Sequence, residues 1–77
     1  MWEIIGYEEQ VRDDGSASYT IYSAKDMKTD NGCYGRKVRR DWYKVDQVHY
    51  VPKIGDLVII ETELRGKYQV VVDIWVP

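Results

Sequence analysis

PKIGDLVIIETELRGKYQVVVDIWVP, residues Pro52 to Pro77, reads as a β-hairpin. Two runs rich in β-branched residues, Leu57 to Glu63 and Tyr68 to Val76, flank the turn signal Leu64-Arg65-Gly66-Lys67. With Leu64 and Arg65 in a type I turn and Gly66 as the left-handed residue of a G1 bulge, Glu63 falls opposite Lys67. The period-2 alternation of a strand then puts Val58, Ile60, Thr62, Tyr68, Val70, Val72 and Ile74 on one face, the predicted core wall. Glu61, Glu63, Lys67, Gln69 and Asp73 point the other way. Leu57, Ile59, Val71 and Trp75 share that outer face at the end away from the turn, and such an apolar patch is a candidate protein interface.

Upstream, residues 2–11 (WEIIGYEEQV) form a first strand, and Asp14-Gly15 signals a hairpin into a second strand from Ala17 to Ala24. In that second strand Tyr19 and Ile21 share one face, with Ser18, Thr20 and Tyr22 on the other. Lys25 to Lys37, with Asn31-Gly32 and Gly35 among charged and small residues, reads as a loop. Val38 to Val48 is a third extended segment. Val38, Arg40, Trp42 and Lys44 alternate there against Arg39, Asp41, Tyr43 and Val45, and with neither face cleanly apolar it suits a sheet edge. Pro52 and Gly55-Asp56 bound the terminal hairpin. Five short strands at close spacing predict a single all-β domain over residues 1–77, a small five-stranded barrel.

The 77 residues leave room for one modest core, too small to frame a large substrate cleft. Seven Tyr and three Trp without any Phe favour rings with a polar tip, suited to half-exposed positions and stacking. Cys33 is the only cysteine, so neither a disulfide framework nor a cysteine zinc site is predicted. Met1 to Ile5 lacks the basic and apolar regions of a signal peptide, and no stretch has the length of a membrane span. A cytoplasmic protein without a membrane partner is expected. His49 is the only histidine and no nucleophile and base stand at a recognisable spacing, so a non-enzymatic binding module is expected, with no cofactor, metal or small-molecule substrate.

One segment is chemically distinctive. From Tyr34 to Lys44 (YGRKVRRDWYK) five positive charges and one negative interleave with three aromatic rings, although the whole chain carries a net charge of −2. Cations that track phosphates, alternating with rings that stack on unpaired bases, are what single-stranded nucleic acid requires. Arg36, Lys37, Arg39, Arg40 and Lys44 are the candidate phosphate contacts, and Tyr34, Trp42 and Tyr43 the candidate stacking rings. Tyr19, Tyr22 and Tyr50 form a second candidate platform.

With these strands in place, the chain resembles the small OB-fold single-stranded DNA-binding proteins of filamentous phages and mobile elements. The likeness rests on Tyr19 and Tyr22 in the second strand, the Cys33-Tyr34 pair, Tyr50-Val51-Pro52 followed by Gly55, and the closing hairpin from Val72 to Pro77. It implies a homodimer that binds DNA through Tyr34, Arg36, Arg39, Arg40 and Trp42. An SH3-like barrel is the alternative architecture. The alternative function is a phage or mobile-element protein-interaction or assembly module that uses the Leu57, Ile59, Val71 and Trp75 patch and binds no nucleic acid.

Overall fold

The computed structural model describes residues 1–26 and 35–77. It holds five strands: β1 (Trp2–Val11), β2 (Ala17–Asp26), β3 (Arg36–Lys44), β4 (Leu57–Arg65) and β5 (Tyr68–Trp75). β2 and β3 run two residues further into the predicted Lys25 to Lys37 loop at each end, through the pairs Lys25 with Lys37 and Asp26 with Arg36. Among the described residues no helix is long and apolar enough to cross a membrane.

All pairings are antiparallel, in one sheet of order β3-β2-β1-β4-β5. β1, β2 and β3 are consecutive neighbours and β4 returns to lie beside β1, which is the Greek-key order. This is the arrangement of an OB-like barrel. β3 and β5, the two ends of the sheet, come near each other without pairing, so the barrel stays open along that seam.

Local chemistry sets each turn. Gly15 has a φ of +88°, its N–H donates to the Arg12 carbonyl at 3.0 Å, and Arg12 N–H donates to the Ser16 carbonyl at 2.8 Å. A bulge between Ile4 and Gly6 resets the β1–β2 register. At the hairpin tip Arg65 pairs with Tyr68, so the loop is Gly66-Lys67. Gly66 has a φ of +62° and no non-glycine among the described residues has a positive φ, which fits a type II′ turn with glycine at its first central position.

The hairpin register therefore differs from the predicted one. The extra residue is not in the turn but inside β5, where Glu61 pairs with Asp73 and Thr62 with Val71, leaving Val72 as the bulged residue. A bulge reverses the alternation beyond it. Val71 consequently turns inward and is buried at 6% exposure, whereas Val72, predicted in the core wall, is exposed. Tyr68, also predicted inside, stands at the tip and is 76% exposed. On the other side of the bulge Val58 and Ile74 are buried and Ile60 partly so, as the alternation predicts.

The core gathers Ile4, Tyr19, Ile21, Tyr43, Val48, Val58, Val71 and Ile74. Tyr43 is its largest fully buried side chain. Its hydroxyl donates to the Tyr50 carbonyl at 2.6 Å, and Tyr50 in turn donates to Asp56 Oδ2 at 2.7 Å. These bonds tie the β3–β4 connection across the base of the barrel. Burial holds both phenols well above the ordinary tyrosine range, with neighbouring Tyr50 adding to the effect at Tyr43 and Asp56 to that at Tyr50.

Candidate nucleic-acid interface

β3 is an edge strand, and its alternate residues have opposite fates. Tyr43, paired with Tyr19 of β2, lies inside, and their ring centroids are 5.8 Å apart. Trp42, paired with Thr20, lies outside and is 46% exposed. The pairs Ser18 with Lys44, Tyr22 with Arg40, Ala24 with Val38 and Asp26 with Arg36 place Arg36, Val38, Arg40 and Lys44 on the same outer face as Trp42.

Across β2 the rows continue onto β1, where Glu8 pairs with Thr20, Gln10 with Ser18 and Gly6 with Tyr22. The centre of this face is floored by small side chains, with Ser18, Thr20 and Ala24 all at 0% or 1% exposure. Its β3 margin is basic and aromatic. Its β1 margin carries Glu3, Glu8 and Gln10, with Ser18 Oγ donating to Gln10 Oε1 at 3.1 Å. Gly6 leaves open the space beside Tyr22, because a Cβ there would sit at ordinary contact distance, 3.7 Å, from the ring.

The predicted site residues divide into two groups. Arg40, Trp42 and Lys44 share the outer face, and Lys37 is exposed at the free edge. Among the described residues Lys37, Arg40 and Lys44 have no carboxylate within ion-pair distance. Arg36 is also on this face, but its guanidinium is held by Glu3 at 2.8 Å and Asp26 at 3.4 Å.

Two predicted contacts are corrected. Tyr43 cannot stack on a base, because it is a core ring at 2% exposure. Arg39 is committed internally, since Nε and Nη2 donate to the two carboxylate oxygens of Asp41 at 2.7 and 2.8 Å, and its Cζ lies 5.1 Å from the Trp2 ring centroid. Lys25 Nζ stands 4.7 Å from the same centroid. The two cations thus flank the partly buried Trp2 ring, Arg39 half-buried and Lys25 exposed. Tyr34, like Cys33, lies outside the described residues.

Of the second platform, only Tyr22 reaches the outer face. Tyr19 is buried between Tyr7 and Tyr43 and donates to Glu9 Oε2 at 2.8 Å, which raises its pKa. Tyr50 belongs to the base of the barrel. The proposed protein interface changes as well, since Val71 is a core residue. Leu57, Ile59 and Trp75 remain on the outer face of the terminal hairpin, with Ile59 opposite Trp75.

A groove of about 480 Å³ follows the open seam, with Lys37, Arg39, Arg40 and Trp42 on the β3 side and Gln69 and Val71 on the β5 side. Arg40 and Trp42 therefore border both the outer face and the seam. Glu8 and Thr20 were not recognisable as site residues in the sequence, where Glu8-Glu9 reads as a solvated acidic pair. The alternation of β1 separates the two, with Glu9 turned toward Tyr19 and Glu8 opposite Thr20. Compared with family models, with curated proteins and with solved structures, the chain gives no match.

Proposed function

We propose that the outer face of β2 and β3 binds single-stranded nucleic acid. The observation that carries this reading is Trp42, 46% exposed on an edge strand with Arg40 and Lys44 two residues to either side on the same face. A ring between two cations that have no ion pair among the described residues offers a base a stacking surface and its flanking phosphates a counter-charge. Tyr22, diagonal to Trp42 across the β2–β3 ladder, supplies the second ring. The Greek-key order supports the reading, because in OB-like barrels the face of strands 2 and 3 is a nucleic-acid surface.

The binding module acts in the cytoplasm, in a phage or mobile-element setting, as a homodimer joined through Leu57, Ile59 and Trp75. The same patch favours the second reading, a protein-assembly module without nucleic acid. Titrating Trp fluorescence with single-stranded and double-stranded oligonucleotides across a salt series separates the two. The nucleic-acid reading expects quenching by the single strand and a linear fall of log affinity with log salt. Absence of quenching at low salt, with the protein folded, rejects it and leaves the assembly module.

A further inference from the structure

On the binding face proposed above, charge changes sign across the sheet. The β3 margin carries Arg40 and Lys44, β2 contributes small side chains, and the β1 margin presents Glu8 in the same cross-strand row as Trp42. β1 and β3 are two interstrand spacings apart, about 10 Å. That distance is comparable to the reach from a phosphate to the far edge of its base. A nucleotide whose phosphate sits at the β3 edge and whose base stacks on Trp42 therefore extends its Watson–Crick edge over Thr20 toward Glu8.

From this geometry we infer that Glu8 reads the base, selecting those with an exocyclic amino donor against thymine and uracil. An ionised carboxylate only accepts hydrogen bonds. Cytosine offers it the N4 amino group, a pairing that carboxylates make in nucleic-acid recognition. Thymine and uracil present a single N3–H between two carbonyl oxygens, which repel the carboxylate. Tyr22 helps to orient the acceptor, since its hydroxyl lies 3.5 Å from Glu8 Oε1. Glu8 is exposed, so a base can approach it without local unfolding. Its distance from Arg40 and Lys44 across β2 leaves those cations free for phosphate.

The inference rests on the single-strand reading, and the test keeps the two apart. Affinities are measured by fluorescence anisotropy for labelled oligo-dC and oligo-dT of equal length, about a dozen nucleotides, at slightly alkaline pH where cytosine stays unprotonated. The proteins are the full chain, Glu8→Gln and Glu9→Gln. Unaltered protein should prefer oligo-dC by on the order of tenfold. Glu8→Gln, whose amide both donates and accepts, should bring the ratio close to one while oligo-dT binding persists. Glu9→Gln, on the opposite face, should keep the preference. Equal affinities in the unaltered protein, or an unchanged ratio in Glu8→Gln, overturn base reading by Glu8 while the binding face stands. Failure of the unaltered protein to bind either oligonucleotide overturns the binding face itself.

Discussion

Replacing Trp42 by alanine tests the site most directly, because it separates stacking from charge. Stacking of a base on an aromatic side chain is worth roughly 1 to 3 kcal/mol, so losing one such contact should cost about 2 kcal/mol, a fall in affinity of roughly thirtyfold. The indole contributes no counterion release. The loss should therefore be uniform across salt concentrations, and the slope of log affinity against log salt should match that of the unaltered protein. Trp42 is 46% exposed and stands opposite Thr20, so its removal forfeits only part of what a core aromatic contributes. A stability loss of roughly 1 to 2 kcal/mol is expected, against 3 to 5 for a buried ring. Anisotropy titrations at several salt concentrations, paired with urea denaturation, read both quantities. Unchanged affinity in a folded Trp42→Ala protein would refute the stacking role. A loss confined to low salt would show that the substitution acts through charge and not through the ring.

Arg40→Glu combined with Lys44→Glu should abolish low-salt binding, and neutralising the same two positions with Gln should lower the magnitude of the salt slope by about two. Circular dichroism should show the fold intact, since neither side chain is paired among the described residues. Arg39→Ala should behave differently, leaving the largely buried Asp41 carboxylate without its bidentate partner and lowering stability by roughly 1 to 3 kcal/mol in urea melts. Alkaline pH should unfold the protein. Tyr43 has a raised pKa in the fold, so above the ordinary phenol value near 10 the unfolded chain loses a proton that the folded one keeps. Stability then falls by about 1.4 kcal/mol per pH unit for that residue, and Tyr43→Phe should flatten the decline seen by phenolate absorbance and denaturation. Leu57→Lys should shift a dimer toward monomer in sedimentation, and an unchanged mass would exclude this face as the interface.

The strand count, the edge position of β3 and the burial of Val58 and Ile74 were legible in the sequence, because alternation and turn residues are local signals. The alternation of β3 followed too, with Arg40, Trp42 and Lys44 on one side and Arg39 and Tyr43 on the other, but not which side meets the core, so that Tyr43 reads as a stacking ring until Tyr19 is set opposite it. What escaped was set by longer-range geometry. The β-bulge at Val72 sits among three consecutive valines, where one more apolar residue changes no pattern that a sequence displays, yet it exchanges Val71 and Val72 between core and surface. The engagement of Arg39 also depends on Trp2 arriving from the far end of the chain. Arginine in a basic run advertises charge but not its partner. The role of Glu8 required knowing that β1 lies beside β2 in a register that opposes it to Thr20.

β3 shows how one nine-residue strand can be structural and available at once. Two of its inward residues are firmly employed, with Tyr43 filling the core and Arg39 neutralised by Asp41 beside Trp2. Those commitments hold the strand in place even though one edge makes no ladder. The outward residues Arg40, Trp42 and Lys44 make few demands on folding, and an exposed row of cations on an unpaired edge also discourages a second copy from pairing there, through like-charge repulsion. Protection of the edge and recognition of a polyanion thus draw on the same charges. They diverge at Trp42, because a strand guarded only against aggregation gains nothing from a half-exposed indole between its cations. The energetic consequence of removing that ring, and not the charge count, distinguishes a binding strand from a merely protected one.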